Sequence, residues 1–315
     1  MICNLDDIIK NSKKILLLSH MNPDGDTLGS MCAMYSMIYN RFKIKADMNV
    51  VSNIPFNYRF IPNVDKAQRY YDKSLVYDLV ISLDVAAIDR VLDSKILFDK
   101  AKCTVNIDHH KTNPKFGDYQ IINPNASSCG EVLFDYFKEN NWKIDKDSAI
   151  CLYTAIMTDT GNFRFENTSA NTFRAAADLV DKGVVPNFVY KKCYETKTKN
   201  LVLFQNYCIK NANFESDDKI AYTEIYKKDL EKFNAGDDYT DGIAETLRAI
   251  DSTEVAFVAK EVDKKLTKIS MRSKKIDVAK ICSKFGGGGH TFAAGCTIKS
   301  SVKEATKKIM EEIEL

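Results

Sequence analysis

The chain has 315 residues, 45 Lys and Arg against 43 Asp and Glu, and is 45% hydrophobic and 28% charged. That length suits about two domains with cores of their own, and the composition excludes a disordered chain. No run approaches the roughly 20 apolar residues of a membrane span. The start, MICNLDDIIKNSKKILLLSH, places acids before its apolar run, unlike a secretory signal. Nine scattered cysteines without a C-x-x-C pair read as reduced thiols packed as small hydrophobes. A cytoplasmic protein with no membrane partner is expected.

In chain order, the apolar runs 15–19 (ILLLS), 78–85 (DLVISLDV) and 103–108 (CTVNID) predict buried strands. Helical patterning covers 27–42 between the first two, then 128–140, 147–158 and 169–182. This alternation predicts an α/β domain over 1–190, a parallel sheet with helices on both faces. Ligands of such sheets bind beyond the carboxyl ends of the strands. Residues 1–190 carry 22 basic and 23 acidic side chains. The stretch KKCYETKTKN (191–200) has four Lys and one Glu, and a linker is expected over 191–205. From 206 to 315 the strand-like KIAYTEIY, TEVAFVAKEV and LTKISMRS, then a helix at 276–284, predict a smaller mixed α+β domain. Within it, 264–284 holds Lys264, Lys265, Lys268, Arg272, Lys274, Lys275, Lys280 and Lys284 against Asp277 alone, a patch suited to a polyanion, although a solvated Lys-rich face is the default reading of such a run.

The titratable residues gather where those strands end. His20 closes the first strand, and Asp24 and Asp26 follow in the turn NPDGD, whose Pro and Gly would bend the chain in any protein. Asp84 ends the second strand; Asp108, His109 and His110 end the third. Asp159 closes a helix-like stretch in AIMTDTGNF. If the strand ends converge, about five carboxylates share one volume, and their repulsion calls for cations. Oxygen and imidazole ligands without thiolate favour Mn²⁺ or Mg²⁺ over structural zinc. Two such ions close together are a standard device of phosphoryl transfer. EF-hand spacing is absent.

KFGGGGHTFAAGC supplies four glycines whose backbone N–H groups can approach an anion, with His290 immediately after. A flexible turn is the plain alternative for such a run, and the neighbouring Arg272 and lysines weigh against it. Neither a Walker A string nor G-x-G-x-x-G is present.

H-x-N-P-D-G-D-x-x-G-S, the strand-end Asp84, D-H-H, T-D-T-G-x-F and G-G-G-G-H-x-x-A-A-G, in that order from residue 20 to 295, resemble the DHH phosphoesterases that carry a DHH-associated domain. Length and domain content look most like the NrnA-type members, which degrade very short RNA and dephosphorylate 3′-phosphoadenosine 5′-phosphate (pAp). The resemblance implies an Mn²⁺-dependent hydrolase with two divalent ions, Mg²⁺ being the other candidate. It puts His20, Asp24 and Asp84 on one ion, and Asp26, Asp84, His109 and Asp159 on the other. It implies that His110 faces the scissile phosphate and that Asp108 orients its neighbours. Arg272, Ser273, Gly287, Gly288, Gly289 and His290 would hold the nucleotide. Relatives often have a basic residue after the final His; here Thr291 and Phe292 stand there, and Phe292 offers a ring for stacking.

Expected partners are short RNA, dinucleotides and mononucleotides, with a homodimer left open. A soluble cyclic-di-AMP or linear-dinucleotide phosphodiesterase and a family II-like pyrophosphatase remain as alternatives within hydrolases. A catalytically silent nucleic-acid-binding protein is the alternative of another class.

Overall fold

The computed structural model describes residues 5–69 and 71–315. The chain divides into two compact units that meet between Thr196 and Lys197. In the first, α1 (Leu5–Lys10) leads into β1 (Ile15–Leu18), α2 (Gly25–Phe42), β2 (Asp47–Asn49) and β3 (Leu79–Leu83). Next come α3 (Lys95–Asp99), β4 (Thr104–Asp108) and β5 (Tyr119–Ile122). The unit closes with α4 (Cys129–Glu139), α5 (Lys146–Asp159), α6 (Ala170–Asp181) and α7 (Pro186–Tyr190). The five strands form one sheet in the order β2-β1-β3-β4-β5, every pairing parallel.

The central strands β1, β3 and β4 are buried at every residue, as a sheet covered on both faces requires. Alternate residues feed two cores. Ile15, Leu17, Leu79, Ile81, Leu83, Val105 and Ile107 join the helical side, with Leu28, Met31, Leu133 and Leu152. Leu16, Leu18 and Val80 face a thinner layer with Val91, Leu97 and Phe98 around α3. Helices thus cover both faces, unequally.

The second unit holds α8 (Lys199–Lys210), β6 (Asn213–Glu215), β7 (Ile220–Ile225), α9 (Lys227–Lys232) and α10 (Ile243–Arg248). It continues with β8 (Val255–Asp263), β9 (Leu266–Ser273), α11 (Val278–Ser283), β10 (Gly288–His290), β11 (Ala293–Ile298) and α12 (Val302–Glu311). Its six-stranded sheet, β10-β11-β9-β8-β7-β6, is mixed: only β7 and β8 run parallel.

The observed ends of the three expected strands and four expected helices lie within two residues of expectation. The edge strands β2 and β5 were not expected: β2 is three residues long, and β5 is half-buried without apolar alternation. The stretch 191–205 is mostly helical. Lys191–Glu195 forms a π-helical turn after α7, with Cys193 buried in the first unit's core, and α8 buries Phe204 and Cys208 in the second. Non-helical backbone is confined to 196–198. Of the four lysines in 191–200, Lys191 and Lys199 are exposed on helical turns, Lys192 is half-buried, and Lys197 is exposed in the non-helical segment.

The first unit's packing depends on α2 meeting α5. At Gly29 a Cβ would lie 2.5 Å from the carbonyl oxygen of Cys151 and 3.0 Å from Ala155 Cβ, so only glycine permits this spacing. Gly29→Ala should cost about 1–3 kcal/mol, read as a lowered thermal midpoint. A midpoint equal to wild type would show that the two helices have room to part.

Candidate metal centre

The parallel strands β1, β3 and β4 end at one edge of the sheet, and the next residues of the chain supply the site. After β1, His20 is buried, and its Nδ1 lies 2.8 Å from the Met21 carbonyl. A carbonyl only accepts, so Nδ1 carries the proton and Nε2 is left for Asp24 Oδ1 at 3.8 Å and Asp84 Oδ2 at 3.3 Å. Asp24 is the N-cap of α2: its Oδ1 accepts from the N–H groups of Asp26 and Thr27. The turn reading of NPDGD is therefore also true. Asp26 is buried in the first turn of α2, where its oxygens accept from the Cys129 and Gly130 amides at 2.7 and 2.9 Å, the N-terminus of α4.

Asp84 stands just past β3 with φ +58°, the left-handed region that costs a non-glycine residue energy and suits a site more than a strand. Its Oδ2 faces His20, and its Oδ1 lies 3.6 Å from both His109 Nε2 and His110 Nδ1. Past β4, His109 Nε2 is also 3.7 Å from Asp26 Oδ2 and 3.6 Å from Asp159 Oδ2, the last residue of α5. His110 Nδ1 donates to Asp108 Oδ1 at 2.7 Å, and Asp108 Oδ2 accepts from Asn113 Nδ2. All eight residues singled out in the N-terminal half thus meet.

The charges respond to this crowding. Burial, then the nearby Asp84, pushes the Asp26 and Asp159 carboxyls well above the usual range. Burial would lower His20, but the carboxylates of Asp24 and Asp84 facing its ring raise it to about 10. Asp24 keeps about half of its side chain exposed; the surrounding protein would raise it, but His20 and the two amides bring it down to about 2. Asp108 opposes burial in the same way, held down chiefly by His110, and His110 is raised in return.

Three sets of these atoms are close enough to share a cation: His20, Asp24 and Asp84; Asp26, His109 and Asp159; and Asp84, Asp108, His109 and His110. Two observations support the fit. Asp84 Oδ1 is fully buried yet makes no hydrogen bond, a costly state unless something else compensates it. The 3.3–3.8 Å separations are also too long for hydrogen bonds, but suit ligands that each lie about 2.1 Å from one ion.

Several neighbours escaped the sequence reading. Arg90 brings Nη2 to 3.5 Å from His20 Nδ1, and its carbonyl accepts from the Met21 amide. Asn113 ties Asp108 to Asn106, and Asn167 donates to the Asp159 carbonyl. Asn113 ends the string D-H-H-K-T-N and was open to notice; Arg90 lies in a 3-10 segment with no motif.

The other group gathers in the second unit. Arg272 and Ser273 end β9, opposite β11, and β10 pairs Gly288–His290 with Ala293–Gly295. Phe292 is exposed at the hairpin tip, where its carbonyl accepts from the Ser273 amide. Arg272 Nε donates to Glu245 Oε1 at 2.7 Å, and Ser273 Oγ donates to the Ile276 carbonyl. The cations of 264–284 are spread along the unit, and several are paired. Lys275, Lys280 and Lys284 pair with Glu254, Asp277 and Glu312, and Lys274 Nζ donates to the Ile250 and Asp251 carbonyls. Lys264 and Lys265 precede β9 and Arg272 ends it, roughly 20 Å away at about 3.3 Å per residue. Glu245, Glu254 and Glu312, outside this stretch, thus offset Arg272, Lys275 and Lys284, which a local count leaves unpaired.

Residues 14–156 match the DHH family, N-terminal domain, and residues 217–315 match the DHHA1 domain. The bifunctional oligoribonuclease and PAP phosphatase NrnA of Bacillus subtilis is 28% identical over 91% of this chain and 90% of its own length. The NrnA of Thermus thermophilus is 26% identical over 95% of this chain and 89% of its own. The cyclic-di-AMP phosphodiesterase PdeA of Listeria monocytogenes is 25% identical over 98% of this chain but 49% of its own. A crystal structure of an exopolyphosphatase-related protein from Bacteroides fragilis superposes with a TM-score of 0.90 at 25% identity, covering 98% of this chain and 93% of that one. No helix among the described residues is long and apolar enough to cross a membrane.

A cation held here needs neutral His20 and ionised Asp26 and Asp159. With His20 raised to about 10, binding near pH 7 should release protons, and affinity should climb with pH up to that value. Titration calorimetry with Mn²⁺ or Mg²⁺ in buffers of different ionisation enthalpy reads this directly. Equal heats in all buffers would show that the ligands are already deprotonated.

Proposed function

Because the chain belongs to the DHH family and carries a DHHA1 domain, we propose that this phosphoesterase-family hydrolase cleaves short oligoribonucleotides to mononucleotides and removes a phosphate from pAp, using two divalent ions, Mn²⁺ foremost. The observation that carries the reading is Asp84: one buried carboxylate divides its two oxygens between two clusters, and one of those oxygens has no other partner. His20, Asp24 and Asp84 would hold one ion; Asp26, Asp84, His109 and Asp159 the other. When bound, such a pair supplies an activated water and charge stabilisation at the phosphate.

The protein's own side chains do the rest. The α4 amides hold Asp26 and fix where its oxygens point. Asp108 anchors His110 through Nδ1 and favours the imidazolium, so Nε2 can donate to a phosphate oxygen as charge develops there. In the second unit Arg272, Ser273, Gly287, Gly288, Gly289 and His290 would hold the terminal nucleotide. Likeness to NrnA proteins over nine-tenths of the chain supports the substrate class. The full set of eight acidic and imidazole residues weighs against a silent binding protein.

Two measurements test this. Release of mononucleotides from a labelled dinucleotide should require Mn²⁺ and stop in chelator. Asp84→Asn should cut it by more than the ~10–100-fold that partners behind a ligand cost. Full activity in chelator, or wild-type behaviour of Asp84→Asn, would sink the reading. A panel of pAp, dinucleotide, 24-mer, cyclic-di-AMP and pyrophosphate places the preference, expected at the first two.

For the second unit, His290→Ala and Arg272→Ala should raise KM by roughly 10- to 100-fold, about 1.4–2.8 kcal/mol, while bound metal stays unchanged. Loss of metal in His290→Ala would instead put that residue among the ligands.

A further inference from the structure

The loop after Asp159 carries side chains that neither the metal centre nor the core uses. The Thr160 carbonyl accepts from the amides of both Arg164 and Phe165 at 3.0 Å, and Asn167 Nδ2 reaches the Asp159 carbonyl at 3.1 Å. The loop is therefore folded back onto the backbone of the carboxylate residue itself. Gly161, Asn162 and Phe163 adopt φ of 56°, 61° and 62° in succession, and two of the three are not glycine. The second of those, Phe163, turns into packing against Tyr153 and Phe173.

Phe165 does not turn in. It remains 51% exposed, yet it is held: a Cβ on Gly161 would fall 2.3–2.6 Å from its ring atoms, so the ring is pressed against that glycine's backbone. Arg164 Nε donates to the Gly161 carbonyl at 2.7 Å, and its guanidinium carbon lies 5.9 Å from the Phe165 centroid. A large ring half in water contributes less to folding than a buried one, and a ring fixed there beside a cation is preorganised to stack on a flat group that carries an anion.

We propose that Phe165, steadied by Gly161 and Arg164, is the shelf on which a nucleobase of the substrate stacks when its phosphate enters the metal centre. This rests on the reading of that centre as a nucleotide phosphoesterase and adds the group that recognises the base. Stacking is tolerant of sequence, because every base has a π face. One shelf then serves an adenine nucleotide and the end of any short RNA, and it gives phosphate esters without a base no advantage.

The test uses the full chain with Mn²⁺ and two probes, AMP and ribose 5-phosphate, which share the sugar and phosphate and differ in the base. By calorimetry the wild type should bind AMP about 10- to 100-fold more tightly. Phe165→Ala should abolish that preference with ribose 5-phosphate binding and metal content unchanged, and Phe165→Tyr should keep it. With pAp and with a dinucleotide, Phe165→Ala should raise KM by a similar factor and leave kcat within about threefold; a rise for only one of them assigns the shelf to that substrate. A wild type that does not distinguish AMP from ribose 5-phosphate, or a Phe165→Ala that weakens both equally, overturns the proposal. If the wild type prefers AMP through Phe165 but hydrolyses no nucleotide, the shelf stands and the hydrolytic reading falls.

Discussion

Carboxylates that repel one another have been drawn to a single edge of a parallel sheet, and the surrounding elements are arranged to keep them there. Asp24 is satisfied by the first amides of α2, Asp26 by the first amides of α4, and Asp108 by His110 and Asn113. Those three acids have local support that anchors them whether or not a cation is present, whereas Asp159 is tied through its backbone carbonyl by Asn167. Asp84 stands at the centre: buried, strained in φ, and without a hydrogen bond on Oδ1. The tight meeting of α2 and α5 is part of the same arrangement, because Asp26 lies in the first turn of α2 and Asp159 is the last residue of α5.

Much of the centre was legible in the sequence because each contributor sits just past an apolar strand or helix, and apolar runs are the strongest local signal a chain carries. A parallel sheet then brings strand ends together without any further information. Legibility failed where the determinant was not local. Strand β2 has three residues and no alternation. Arg90 reaches His20 from a 3-10 segment. The lysines of 264–284 find Glu254 and Glu312, which no window around them contains. The amides that hold Asp26 belong to SSCG, legible as a helix start but silent about which acid it would receive.

The same contrast separates the two halves of the proposed function. The metal centre is made of side chains whose chemistry is evident from their type, so residue identity nearly sufficed. The groups proposed to hold the nucleotide are a backbone turn, an arginine already bonded to Glu245 and an exposed ring, and their meaning depends on placement.

The run GGGG looks like a hinge, yet its members are constrained differently. Gly286 needs its φ of 71°; Gly287 has the Gly295 carbonyl 2.3 Å from where a Cβ would be; Gly289 combines φ 148° with the Ala293 carbonyl at 2.4 Å. Gly288 alone has ordinary φ and open space around it. Three glycines are there so that a hairpin can close, and the fourth is unconstrained by its surroundings. A fluorophore or spin label attached at 288 would therefore sit on the hairpin edge and report on that edge without prying it apart.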